Sequence, residues 1–322
     1  MAEHAFLLDQ KVGTQFSGVY YVAGVSIKKT VKQTEYSEYT LKDKSGTVFA
    51  KLWSIDPSIQ KGIYVTASIN VEDYKGSPSF IIRAVVPFTK TVDTTLYVQT
   101  VEDAAGLIHT FNQYMTIVKE SSDTLKAPLS GILEGVFTPE FKELFFKAPS
   151  NTGTYYGKVG GALENTLAIC DIASKMSSIY KFNPQEQAVL IAASLLSRIG
   201  CVESFEMADC AVEQTKNGAL VGIQSLSVLR LFDAWKSYKA TSTVNNPADK
   251  EWLLRVIHAV TSLEGTENLP STKEAILLKN IVGLDAKMVD MFDYIARDSH
   301  VENGFTTFDV NAKRRYYVGT KA

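Results

Sequence analysis

Residues 14–90 alternate apolar and polar positions with the period of two that half-buried strands show. TQFSGVYYVAGVSIKKTV is β-branched and aromatic. EYTLKDKSGTVFAKLW holds two runs joined at KDKSG, and IYVTASINVEDYKGSPSFIIRAVVP holds two more joined at DYKGSP. Five short strands with Gly-bearing turns predict a small barrel, which leaves no sheet edge exposed. In TVFAKLW the alternation puts Val48, Ala50 and Leu52 on a core face and Phe49, Lys51 and Trp53 on the other. Two large aromatics flanking a lysine on the side that meets water is an unusual use of a strand.

After Val92 the apolar spacing lengthens to three and four. VEDAAGLIHTFNQYMTIVKESS, LSGILEGVF and PEFKELFF read as helices. The polar loop KAPSNTGTYYG follows, and then helical segments over roughly 159–181, 184–200, 204–216, 219–240, 247–263 and 271–298. Asn246 before Pro247 marks a helix start. The end, GFTTFDVNAKRRYYVG, reads as extended and basic. The fold class expected is α+β and multidomain: a five-stranded barrel followed by an all-α region.

Composition changes this picture little. A chain of 322 residues is about twice a common domain length, in line with two domains. The net charge of −2 gives no general attraction to nucleic acid, but the first 90 residues carry 11 Lys and Arg against 8 Asp and Glu. Cys170, Cys201 and Cys210 form no C-x-x-C pair and sit in apolar surroundings, which suits reduced thiols and a cytoplasmic location. The start MAEHAFLLDQKVG lacks a basic segment followed by an apolar one, and no membrane partner is expected.

The candidate chemistry lies mainly on the β module. Tyr20, Tyr21, Lys28, Lys29, Phe49, Lys51, Trp53, Tyr74, Lys75 and Arg83 interleave aromatic rings with cations. Single-stranded nucleic acid needs both, flat faces for bases and cations for phosphates. The binding set expected from the residues is Phe49, Trp53 and Tyr74 for stacking, with Lys51, Lys75 and Arg83 for phosphates. Of the adjacent pair Tyr20 and Tyr21, at most one is expected to face inward. The glycines of GKVGGALEN match no phosphate-binding fingerprint and read as close packing at a helix start. Lys313, Arg314, Arg315, Tyr316 and Tyr317 fit a phosphate grip and a solvated end strand equally. The histidines are widely separated, and Asp285, Asp290, Asp293 and Asp298 read as a solvated helix edge, so no metal site assembles from spacing alone.

The order of these features resembles the YhaM-type 3′–5′ exoribonuclease family, an OB-fold joined to a helical HD domain. The matching stretches are LKDKSGTVFAKLW and NVEDYKGSPSFIIRAVVP in the barrel, EFKELFFKAPSNTGTYYG before the helices, GLDAKM at 283–288 and FTTFDVNAKRRYY near the end. The resemblance implies an OB-fold over 1–90, a helical linker over 91–150, an HD-like domain over 151–300 and a tail over 301–322. It also implies one or two metal ions that lower the pKa of a bound water. Carried over residue by residue, the first ligand falls on Asn165 and the His-Asp dyad on Ser197 and Arg198, with Gly200 as the small turn residue. His258 is retained, the following His pair falls on Leu263 and Glu264, and the last aspartate falls on Val282. The loop histidines fall on Tyr155 and Tyr156. The expectation is therefore a degenerate member: not an enzyme, no catalytic residue, no metal and no cofactor. Its function would be single-stranded DNA or RNA binding, with self-association and replication or RNA-processing proteins as partners. Two rival readings are a scaffold with little nucleic-acid binding and a metal-dependent exonuclease rebuilt around Asp285 and His258.

Overall fold

The structure is a computed structural model that describes residues 4–30, 33–74, 76–93, 96–153, 155–208, 210–241, 249–264, 268–297 and 301–319. Lys75, Asn246, Pro247, Asp298 and His300 lie outside the described residues. The chain divides into two compact units: residues 1–100 with 207–211, and the remainder.

In the first unit, strands β1 (Gln15–Lys29), β2 (Glu35–Asp43), β3 (Gly46–Leu52), β4 (Tyr64–Tyr74) and β5 (Ser77–Pro87) close into a barrel of order β1-β2-β3-β5-β4. All neighbours are antiparallel except β3 and β5. This is the expected OB-type barrel, and helices follow it. The alternation read from the sequence decides the faces. Val48, Ala50, Val65, Ala67, Ile69 and Val71 point into a core shared with Tyr20, Tyr39 and Phe80. Two tight turns set the register. Gly76, at φ +80°, occupies the left-handed region that favours glycine, and its N–H donates to Asp73 Oδ1 at 2.8 Å.

The N-terminal segment caps this core. A single 3-10 turn at Leu7–Asp9 sends Leu7, fully buried, among the barrel side chains. Asp43, also fully buried, accepts from Leu7 N–H and Ser45 N–H, each at 2.8 Å, and from Ser45 Oγ at 2.5 Å. Tyr20 and Tyr21 are both buried, which corrects the expectation that one of them faces water. Tyr21 packs with Tyr97 and Cys210 in a second small cluster, so side chains cover both faces of β1 at that point.

The second unit is helical: α1 (Ala104–Leu125), α2 (Leu129–Val136), α3 (Pro139–Phe145), α4 (Gly161–Ile179), α5 (Pro184–Leu196), α6 (Cys201–Ser204), α7 (Lys216–Val221), α8 (Ile223–Thr241), α9 (Asp249–Thr261) and α10 (Lys273–Arg297). Helix α5 begins with a capping box, Asn183 with Glu186, and a proline at its first position. By length and composition alone the stretch Pro184–Ser204 is apolar enough to cross a membrane, but 78% of its most apolar window is buried inside the protein. It is the central core helix.

The expected helix over 204–216 is instead a hairpin, β6 (Phe205–Ala208) and β7 (Ala211–Gln214). Thr215 closes its base: its N–H donates to Ser204 O at 2.9 Å and its hydroxyl to Glu203 O at 2.6 Å. The glycine cluster packs backbone on backbone, as its spacing implied. A Cβ at Gly161 would lie 2.0 Å from Tyr156 O, and one at Gly157 would lie 1.9 Å from Gly153 O. The 301–319 segment folds back on itself through isolated bridges, Phe305 with Tyr317 and Asp309 with Arg314, rather than running extended.

Candidate nucleic-acid interface and the polar pocket of the helical unit

The outward side of β3 carries Phe49, Lys51 and Trp53, and the pairing register says what surrounds them. Phe49 lies opposite Thr40 and Lys51 opposite Glu38 on β2, while Lys51 pairs with Ile81 on β5. Phe49 is 62% exposed, Trp53 54% and Tyr74 59%, far more than structural aromatics in a barrel of this size. The rings are partly organised already. Trp53 lies against Tyr36 with centroids 5.2 Å apart, and Lys51 Nζ sits over the Tyr74 ring at 5.3 Å. Aromatic faces and an ammonium therefore form one continuous surface across β2, β3 and the end of β4.

Charge on this surface is more balanced than the sequence implied. Arg83 pairs with Glu72 at 2.6 Å, and Lys28 pairs with Glu38 at 2.5 Å. The hydrogen bond from Glu38 raises the Lys28 ammonium above its ordinary value. Two of the expected phosphate contacts are thus held by carboxylates of the same face, a feature invisible without strand register.

In the helical unit the structure gathers several of the positions assigned by resemblance. Asn165, on α4, donates Nδ2 to Asp285 Oδ2 at 2.7 Å, and Tyr156 OH donates to Asp285 Oδ1 at 3.1 Å. Ser150 Oγ donates to Asn165 Oδ1 at 3.0 Å. Asp285 on α10 is the carboxylate of this cluster, whereas Val282, the position assigned to the final aspartate, is an apolar core residue one turn earlier. Burial raises the Asp285 carboxyl, opposed by its two hydrogen bonds and by the field of Arg198. Burial likewise raises the Glu264 carboxyl against Arg198, and it lifts the Cys201 thiol to about 11.

The dyad positions do different things. Ser197 is fully buried and donates its hydroxyl to Ser194 O at 2.7 Å, within its own helical turn. Arg198 is partly buried, and its Nε is shut away from solvent with no partner. Gly200 keeps its turn role: a Cβ there would lie 2.1 Å from Ile223 O. Leu263 packs against the helical core, and Glu264 receives the amide of Gln224 once that side chain is oriented to satisfy both groups. His258 Nε2 accepts the Ser271 N–H at 2.8 Å, so this lone pair fastens the segment before α10 rather than facing a ligand. The expectation of a site rebuilt on Asp285 and His258 is not met in the histidine.

A divalent ion does not fit this donor set. The first ligand position is an amide already bonded to Asp285, and the dyad aspartate is a fixed cation that repels a metal. Among the described residues no three His, Cys, Asp or Glu side chains group to hold an ion.

No protein-family model matches the chain. The chain is similar to a 3′–5′ exoribonuclease YhaM of Bacillus velezensis, 22% identical over 263 residues, which covers 78% of each protein. A solved structure, the second OB-fold domain of replication protein A from Methanococcus maripaludis, aligns at 12% identity with a TM-score of 0.22, over 28% of this chain and 100% of that domain. The exoribonuclease comparison corrects the expectation that the chain is not an enzyme and is a pseudo-nuclease by virtue of Ser197-Arg198. The named relative is an enzyme, and its likeness runs through most of both chains. Replacement of one ligand pair speaks to that pair alone, since catalysis by a fold is carried by whichever site residues are present.

Proposed function

We propose that the chain binds single-stranded nucleic acid on the β2–β3–β4 face of the barrel and acts in RNA 3′-end processing. The observation that carries the binding is the exposed set Phe49, Trp53 and Tyr74 beside Lys51. Bases stack on the rings and the ammonium meets the backbone, a mode that reads little sequence. The processing role rests on the exoribonuclease name of the relative. Self-association belongs to the same reading, because linked weak sites gain avidity.

Titration of a labelled unstructured oligonucleotide tests the binding. One lost stack is worth about 1–3 kcal/mol, so Trp53→Ala is expected to weaken binding roughly 5- to 150-fold. Unchanged affinity in that variant would sink the proposal. Incubating 3′-labelled single-stranded RNA with the full chain tests processing: stepwise shortening from the 3′ end supports it, and intact RNA at every protein concentration removes it.

A further inference from the structure

The polar pocket of the helical unit holds a charge that nothing in the protein answers. Arg198 makes no side-chain hydrogen bond or ion pair among the described residues, and its buried Nε meets no partner. The two carboxylates within its field are held by other donors: Asp285 by Tyr156 and Asn165, Glu264 by Gln224. A buried unpaired donor on a charged group is expensive, so its persistence points to an acceptor from outside.

We propose that this pocket binds a nucleotide, with a phosphate group taken directly on the Arg198 guanidinium. The proposal rests on the reading of the chain as a single-stranded nucleic-acid binder. A guanidinium presents its N–H groups as a planar fork that matches two phosphate oxygens, and it stays charged at any working pH. The ligand preference of the pocket is thus inverted relative to a metal site, from cation to anion. Carboxylates beside an anion are normally repulsive. Here both accept hydrogen bonds already, and burial favours their protonated forms.

A second observation supplies the base. Tyr155 precedes the Tyr156 that bonds Asp285, and its ring lies 5.7 Å from Phe292 at an interplanar angle of 33°. Both rings are about two-fifths exposed, Tyr155 at 42% and Phe292 at 40%. Phe292 follows Asp285 by seven residues on α10, two turns along the same face, or about 10.5 Å. A nucleotide has the two parts this arrangement asks for, a phosphate for the fork and a flat base for the rings.

The test is titration of the full chain with adenosine 5′-monophosphate, adenosine and inorganic phosphate, followed by calorimetry. The monophosphate is expected to bind at least tenfold more tightly than either fragment. Arg198→Gln is expected to lose at least tenfold of that affinity. Glu264→Gln, an exposed change that spares the fold, is expected to strengthen it severalfold by removing a nearby negative charge, an effect a structural role would not produce. Trp53→Ala is expected to leave it unchanged. No binding of the monophosphate, equal binding of inorganic phosphate, or indifference to both pocket variants would each overturn the proposal. If the monophosphate fails while an oligonucleotide still binds through Trp53, only the pocket assignment falls. If the oligonucleotide fails while the monophosphate binds, the barrel reading falls instead.

Discussion

Releasing Arg83 from its carboxylate should strengthen nucleic-acid binding, although the substitution adds no contact. Arg83 and Glu72 lie 2.6 Å apart on the outward face of the barrel, each side chain half exposed. A phosphate that approaches Arg83 must displace Glu72 and tolerate its charge. An exposed pair of this kind is worth about 0.2–1 kcal/mol, so Glu72→Gln should tighten binding by roughly 1.4- to 5-fold. The more decisive quantity is the salt dependence. A newly available cation that takes one phosphate steepens the slope of log affinity against log salt by about 0.7 for a single strand. Fluorescence anisotropy with a labelled unstructured oligonucleotide, between about 50 and 200 mM salt, reads both quantities. Asp233→Asn, which removes the carboxylate of an exposed pair with Lys236 in the helical unit, serves as the control and should change neither. A Glu72→Gln protein with unaltered slope and equal or weaker affinity would show that Arg83 does not reach the phosphates.

Other expectations concern the scaffold of the two sites. Asp43→Ala leaves two backbone N–H groups without their buried acceptor and should cost about 2–4 kcal/mol in urea unfolding of the barrel, with Leu7 and its neighbours becoming protease-sensitive; a loss under 1 kcal/mol, within about the worth of one ordinary hydrogen bond, would contradict the role given to Asp43. Gly200→Ala drives a methyl group into the Ile223 carbonyl and should cost about 1–3 kcal/mol, read from the same denaturation curves. His258→Ala removes the acceptor of Ser271 N–H at a half-exposed position and should cost about 1 kcal/mol, with faster amide exchange at Ser271 as the specific sign. Arg198→Met takes away the charge that opposes burial at Asp285 and Glu264, so both carboxyls should titrate at higher pH in NMR; a downward move would refute the placement of Arg198 between them. Because a raised carboxyl stabilises the fold below its unfolded value and loses that contribution as pH rises through its folded value, the variant's disadvantage should grow toward neutral pH.

The barrel and its face were open to reading from sequence because a strand has only one way to alternate. Once Val48 and Ala50 are inside, Phe49 and Lys51 are outside, whatever the rest of the chain does. Tyr21 defeats the same logic because its outer side is covered by Tyr97 and Cys210, residues that local periodicity cannot place next to it. The hairpin at 205–214 was missed for a related reason: four-residue strands carry too little pattern, and the hydrogen bonds of Thr215 decide the matter. In the helical unit, resemblance found the right helices but the wrong turn of α10, placing an aspartate on buried Val282 when Asp285, one turn on, meets Asn165 and Tyr156. That error was bound to occur on a helix, where residues three apart share a face and either fits an apolar pattern.

What spacing could not show at all is the isolation of Arg198. Its partners are denied to it by side chains far away in sequence: Asn165 and Tyr156 reach Asp285 across 120 and 129 residues. Beside an open carboxylate, the same arginine would be a buried ion pair and would ask for nothing further. With Asp285 and Glu264 already engaged, it is a cation held ready, and the functional question moves from which metal the pocket lost to which anion it now receives.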